Sequence, residues 1–77
     1  MIDLEVGRSR SGFFECHSTY TLPHNDKDAA DILYELIDDP HSTYAVLYSD
    51  VGYEDKMTIS HFKKIHMKSG KSYWVIA

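Results

Sequence analysis

One segment of the chain repeats its apolar residues at helical spacing, whereas most other segments alternate as strands do. In that segment six apolar residues fall on one stripe of a helix: Ala29, Ala30, Ile32, Leu33, Leu36 and Ile37. Asn25 can accept a hydrogen bond from the first turn, and Pro40 disfavours helical angles at Asp39. We therefore predict one helix near residues 26–38, which packs the last four of these apolar residues onto a sheet.

Strand patterns fill most of the remaining sequence. Ile2, Leu4 and Val6 alternate with two acids, and the glycines that bracket residues 7–12 then predict a hairpin loop. The tyrosine-rich run 43–49 is apolar on both faces, which is typical of a strand in the middle of a sheet. The predicted strands lie near residues 2–6, 13–22, 43–49, 57–67 and 71–76.

Residues 57–64 fit two structures. Thr58 could cap a short helix, whereas Met57 and Ile59 alternate as in a strand, and we favour the strand. With that choice the order of elements is ββαβββ. This order predicts a single α+β domain over residues 1–77, in which one helix packs on one face of an antiparallel sheet.

A tight hairpin is predicted between the last two strands. Ser69-Gly70 suits a two-residue turn, which would place Ile65 opposite Trp74 and His66 opposite Tyr73. We also expect the Trp74 side chain to face the core.

The length of the chain limits its core. A domain of 77 residues is near the size at which a core alone supplies only about 3–5 kcal/mol, so a homodimer is a possible source of further stability. The single Cys16 cannot form an internal disulfide, and we expect it to be a small buried hydrophobe. The first residues lack a signal-peptide pattern, and no run is long and apolar enough for a membrane span. We therefore expect a soluble cytoplasmic protein.

Charge is divided unequally along the chain. The first 55 residues contain all twelve acids and only three basic residues, a formal charge of −9, whereas residues 56–77 contain five lysines and no acid. A modest net charge of −4 therefore conceals two opposed surfaces, each of which favours a different kind of partner.

The acids concentrate on the predicted helix. Asp28, Asp31, Glu35 and Asp38 follow one another at steps of three and four residues, which places four carboxylates on one stripe, and Asp39 follows at its end. Like charges at this spacing repel, and acids near the C-terminal end also oppose the helix dipole. The stripe could be a solvated face that keeps the protein soluble. The alternative is a docking surface for a basic partner protein, which imitates the phosphate row of a nucleic acid.

A second surface is expected on the side of the sheet that the helix leaves uncovered. Tyr44, Tyr48 and Tyr73 are predicted to project there, and tyrosines are favoured where proteins meet. This face is our candidate for a homodimer or secondary interface, and a solvent-facing amphipathic surface is the alternative.

A third surface is basic. The C-terminal hairpin combines Lys63, Lys64, Lys68 and Lys71 with aromatic residues, a mixture that nucleic-acid-binding proteins use to follow a backbone and stack bases. Because only four lysines are present and the rest of the chain is acidic, we keep direct nucleic-acid binding as the alternative function.

Catalytic and metal sites are not predicted. Five histidines and one cysteine show no spacing typical of structural zinc, so we predict neither metal nor cofactor. Cys16 and His17 are neighbours in a strand and point to opposite faces, which excludes a nucleophile–base pair.

The sequence therefore favours a non-enzymatic, inhibitory protein-binding domain that occupies a basic, nucleic-acid-binding surface of its partner. In size and charge the chain is similar to phage-encoded inhibitors of host or defence enzymes, among them anti-CRISPR proteins. The likeness is confined to those two properties.

Overall fold

The computed structural model describes residues 2–23, 26–50 and 57–77. The elements are β1 (Ile2–Arg10), β2 (Phe13–Leu22), α1 (Asp26–Glu35), β3 (Tyr44–Asp50), β4 (Met57–His66) and β5 (Ser72–Ile76). The five strands form one antiparallel sheet in the order β2-β1-β3-β4-β5. The predicted α+β class and element order are confirmed, and β3 occupies the predicted central position.

The core lies between α1 and the inner strands. Leu4 and Val6 of β1 are fully buried, and their partners on β3 are Leu47 and Ala45. Antiparallel partners share a face of the sheet, so these side chains form one apolar layer. The helix closes the layer with Ala29 and Leu33, both buried, while Ile32 and Leu36 pack at its margin.

The first hairpin is longer than predicted. The predicted loop over residues 7–12 is wrong, because β1 continues to Arg10 and the turn contains only Ser11 and Gly12. Gly7 pairs with Cys16, and a Cβ at Gly7 would overlap the carbonyl oxygen of Glu15 and lie 2.8 Å from the Cα of Cys16. Gly7 therefore permits the close approach of two strands and does not break them.

A bulge in β2 changes which residues share a face. The register between β1 and β2 shifts between Val6 and Gly7, so Ser18 pairs with Val6 and Cys16 pairs with Gly7. The extra residue at position 17 interrupts the alternation of the strand. For this reason the prediction that Cys16 is buried is wrong: its side chain is exposed and its thiol contacts the Ser18 carbonyl at 3.3 Å.

The last hairpin has a different register from the one predicted. Ile65 pairs with Tyr73 and His66 with Ser72, because the loop extends over residues 67–71 and closes with a hydrogen bond from the Met67 amide to the Lys71 carbonyl. The predicted two-residue turn at Ser69-Gly70 is therefore wrong, and the predicted pairing of β4 with β5 is shifted by one residue from the observed pairing. Trp74 now lies opposite Lys64 and packs against the core, as expected of its side chain.

Within the described residues, no helix combines the length and the apolar character that crossing a membrane would require.

Candidate partner-binding surfaces

The acidic stripe faces away from the sheet. Ala29 and Leu33 turn toward the core, which leaves Asp31 and Glu35 exposed on the outer side of α1 and Asp28 half-buried. The last helical turn contains no basic residue. The predicted repulsion between carboxylates therefore has no basic residue in that turn to reduce it.

The stripe continues beyond the helix. Regular helical structure ends at Glu35, three residues before the predicted end, and is followed by tighter turns. In these turns the amides of Ile37 and Asp39 donate to carbonyls three residues earlier, at 3.3 and 3.1 Å. Asp38 is exposed and follows the last helical residue by three positions, so it adds an exposed carboxylate just beyond the helical part of the stripe.

The carboxylate of Asp39 is bound by other groups of the domain. One carboxylate oxygen accepts a hydrogen bond from the His41 amide at 3.0 Å, and the other accepts from the Ser42 hydroxyl at 2.8 Å. These two hydrogen bonds, followed by the nearby imidazoles of His41 and His17, lower the pKa of Asp39. Asp39 is one of the predicted partner-binding residues, and its carboxylate is engaged within the domain, where it organises the connection between α1 and β3.

Lys64 closes the C-terminal end of α1. Its ammonium donates to the carbonyl of Leu36 at 2.6 Å and to that of Asp39 at 2.9 Å. It also lies 4.9 Å from the centre of the Trp74 ring, a cation–π distance. Burial lowers the pKa of Lys64, although the carboxylates of Asp39 and Asp38 act in the opposite direction. A nucleic acid could recruit Lys64 only by removing it from the helix end.

The other predicted lysines do not form one row with Lys64. Lys63 is its neighbour in β4 and therefore points to the opposite face of the sheet, where it pairs with Tyr44 and Val75. Lys68 and Lys71 are exposed in the hairpin loop. The basic residues are thus distributed over two faces and one loop.

The three predicted interface tyrosines do not form a single patch. Tyr44 donates or accepts a hydrogen bond with His61 at 2.9 Å, and the ring of Phe14 lies 5.5 Å away. Burial, followed by the charge of Glu5 and a hydrogen bond to it, raises the pKa of Tyr48. Both tyrosines are half-buried, and Tyr73 lies two strands away on β5.

Val46 lies on the same face, yet it is only 4% exposed. The domain's own side chains therefore cover part of this side of the sheet. A homodimer through Tyr44 and Tyr48 stays a prediction.

A polar cluster joins β2 to the connection before β3. The fully buried Ser42 lies between Asp39 and His17, with 3.2 Å from its hydroxyl oxygen to His17 Nε2. His17 also contacts the carbonyl of His41 at 3.2 Å and the hydroxyl of Ser18 at 2.9 Å. An open depression of about 570 Å³ lies beside the cluster.

The residue types of this cluster are those of a catalytic triad, but their roles differ. Ser42 donates its proton to Asp39 and therefore presents none to His17. Its burial also keeps substrate from reaching the hydroxyl. The cluster fixes the loop in place. Within the described ranges, no group of three or more His, Cys, Asp or Glu side chains could hold a metal ion.

An apolar groove that we did not predict lies between α1 and the last two strands. It has a volume of about 430 Å³, and its lining combines one flank of the helix with aromatic residues of the sheet: Ala30, Leu33, Tyr34, Ile37, Phe62, Tyr73 and Trp74. Tyr34 stands at its rim and is 76% exposed. The helical spacing of residues 30, 34 and 37 was visible in the sequence, but whether a strand covers that flank depends on the width of the sheet.

Comparisons of the chain with protein-family models, with curated proteins and with solved structures found no match.

Proposed function

We propose that the protein is a small non-enzymatic binding domain that docks its acidic stripe on the basic, nucleic-acid-binding surface of a partner protein and thereby inhibits it. The observation that carries this proposal is the acidic ridge formed by Asp31 and Glu35 on the outer side of α1 and by Asp38 just beyond it, all exposed, with no basic residue in the last turn of the helix itself. Such a ridge costs helix stability through mutual repulsion. A cost of this kind is expected where a binding surface has been retained.

The stripe would act as a substitute for phosphates. Its carboxylates follow the helix at intervals of about one turn, and a basic surface that binds a nucleic-acid backbone would accept them by the same electrostatic attraction. Occupation of that surface would exclude the nucleic acid. The lone, exposed Cys16 is compatible with a reducing cytoplasm, where we expect the protein to act.

The experiment compares two charge variants. Asp31→Asn, Glu35→Gln and Asp38→Asn together neutralise the exposed carboxylates of the stripe, and Lys63→Gln, Lys68→Gln and Lys71→Gln together neutralise the exposed lysines of the C-terminal hairpin. Lys64 is left unchanged because it closes the helix. Binding of each variant to immobilised poly-L-lysine is measured at low and high salt, and thermal unfolding is measured in parallel.

We expect the acidic variant to lose binding while its stability stays level or rises slightly, and the lysine variant to bind as the parent does. Binding of the parent should weaken with salt because exposed charges are screened. Equal binding by the acidic variant would contradict the proposal.

The alternative function, nucleic-acid binding through the C-terminal hairpin, predicts the reverse. The exposed Lys68 and Lys71 are the observation in its favour. In that case the lysine variant loses binding to a fluorescent single-stranded oligonucleotide, and the acidic variant retains or strengthens it.

A further inference from the structure

The two outer strands of the sheet differ in how well they are protected against pairing with a further strand. Edge strands with exposed hydrogen-bonding groups are open to pairing, and proteins commonly block them with charges, prolines or bulges. β2 carries Glu15 and a bulge beside Cys16. β5 has the sequence Ser-Tyr-Trp-Val-Ile, with no charge and no proline, and its register against β4 is regular. β5 is therefore the unprotected edge.

The hydrogen bonds at the two ends of this hairpin show which groups of β5 are free. The Met67 amide donates to the Lys71 carbonyl at 2.7 Å, and the Ala77 amide donates to the His61 carbonyl at 2.9 Å. In an antiparallel pair, hydrogen-bonded positions alternate with positions whose amide and carbonyl point outward. The outward positions of β5 are Ser72, Trp74 and Ile76. In the described part of the chain β4 is the only strand beside β5, so these groups face an open edge.

The apolar groove lies beside this edge. Trp74, one of the outward positions, forms part of the groove lining together with Tyr34 and Ile37 of the helix side. Ile76 is 78% exposed, so the helix does not cover the sheet as far as the end of β5. A further strand on β5 would widen the sheet under the helix flank, and every second side chain of that strand would face the groove.

The charge around the groove decides what kind of strand fits. Asp31 lies three residues before Tyr34, which places it next to the groove rim on the helix surface. Asp38 lies beyond the end of the helix, where its charge acts on the Lys64 ammonium over the ring of Trp74. Both acids are exposed. An occupant with Lys or Arg at that rim would gain their attraction, whereas an acidic occupant would be repelled.

We propose that β5 receives an extended basic segment of the partner as a sixth strand, with apolar side chains in the groove and Lys or Arg beside Asp31 and Asp38. This inference rests on the proposed function and names the docking mode of the partner. Main-chain hydrogen bonds to Ser72, Trp74 and Ile76 would supply affinity, and the groove and the rim charges would supply specificity.

The test uses a capped heptapeptide, Lys-Thr-Leu-Thr-Leu-Thr-Lys, in which both leucines and both lysines share one face of a strand. A matched peptide carries N-methyl groups on the amides that would pair with β5, which removes hydrogen bonds and keeps every side chain. Binding to the full chain is followed by amide chemical shifts in nuclear magnetic resonance titrations. We expect shifts concentrated at Ser72, Trp74 and Ile76, and affinity lower by about tenfold or more for the methylated peptide, since several hydrogen bonds are lost.

Two protein variants separate this inference from the proposed function. Ile76→Lys places a charge on the open edge and should abolish peptide binding, yet leave poly-L-lysine binding by the stripe intact. The variant Asp31→Asn, Glu35→Gln, Asp38→Asn should weaken both.

Absence of peptide binding, or equal binding of the methylated peptide, would overturn strand addition while the stripe proposal stands. Undiminished binding of both ligands by the stripe variant would overturn the proposed function together with the basic character of the occupant.

Discussion

The ammonium of Lys64 in β4 lies 2.6 Å from the carbonyl oxygen of Leu36, so a strand residue terminates the only helix of the described chain. The last carbonyls of a helix have no partner within it, and a cation there also complements the helix dipole. Lys64 therefore connects the helix to the sheet at the point where the acidic stripe makes the helix end least stable.

We predict that Lys64→Met destabilises the domain. The substitution keeps most of the aliphatic stem but removes the ammonium donor from the carbonyls of Leu36 and Asp39, which then keep only the backbone amides of Asp39 and Ser42 as donors. The expected loss is about 1–2 kcal/mol in the free energy of unfolding, reduced from the full value of charged hydrogen bonds because the site is partly open to water. Urea unfolding measures it, with Lys63→Met on the opposite face as the control. Equal stability of both variants would show that Lys64 does not support the helix end.

We predict that Gly7→Ala prevents normal pairing of β1 with β2. The added methyl group would overlap the backbone oxygen of Glu15, which cannot move without disrupting the register. A loss of more than about 3 kcal/mol is expected. Gly70→Ala is the control: nothing lies within 4 Å of its Cβ position, and its φ of 88° costs about 1 kcal/mol. Thermal unfolding of the two variants compares them directly, and a smaller loss for Gly7→Ala than for Gly70→Ala would contradict the close approach.

The lowered pKa of Asp39 predicts acid sensitivity. A carboxyl whose pKa is depressed on folding stabilises the native state fully above its unfolded pKa of about 3.9, and that stability is lost as pH falls through the folded value. The domain should therefore lose stability below about pH 4. Asp39→Asn removes this titration, so the difference in stability between parent and variant should shrink as the pH falls from 5 toward 3. Chemical unfolding at several pH values measures the difference; a gap that does not change with pH would refute the assignment.

The expected homodimer can be assigned to one face. Ile59 is 51% exposed and pairs with Tyr48 on the face opposite the helix, whereas Ile76 lies on the open edge. If the tyrosine face forms the dimer, Ile59→Lys should yield monomers in sedimentation velocity and Ile76→Lys should remain dimeric. Monomers for Ile76→Lys and a dimer for Ile59→Lys would identify pairing between two β5 strands. A parent protein that is monomeric at high concentration would show that neither surface forms a homodimer.

The fold class could be read from the sequence because it depends on local periods. The spacing of Ala29, Leu33 and Leu36 is typical of a helix that buries one side, and the two-sided apolar run of β3 is typical of a central strand. Both are properties of neighbouring residues and need no knowledge of distant ones. The exposure of Asp31 and Glu35 followed from the same helical period, whereas Asp38 lies beyond the end of the helix.

What the sequence could not show depends on contacts between distant segments. The role of Gly7 depends on how closely Glu15 approaches, and the exposure of Cys16 depends on a one-residue shift in register. A strand alternates with period two, so a single inserted residue reverses the faces beyond it, and no local pattern records where that happens.

Contacts between distant segments also decide which charged side chains stay exposed and which are bound within the domain. Asp38 and Asp39 are adjacent acids, and Lys63 and Lys64 are adjacent lysines, so composition treats each pair alike. The fold leaves Asp38 and Lys63 exposed, but it binds Asp39 to the loop before β3 and Lys64 to the helix end. The sequence determines which charges and apolar stripes exist. Only the tertiary structure decides which of them remain on the surface, because that depends on hydrogen-bond partners up to 28 residues away in the chain.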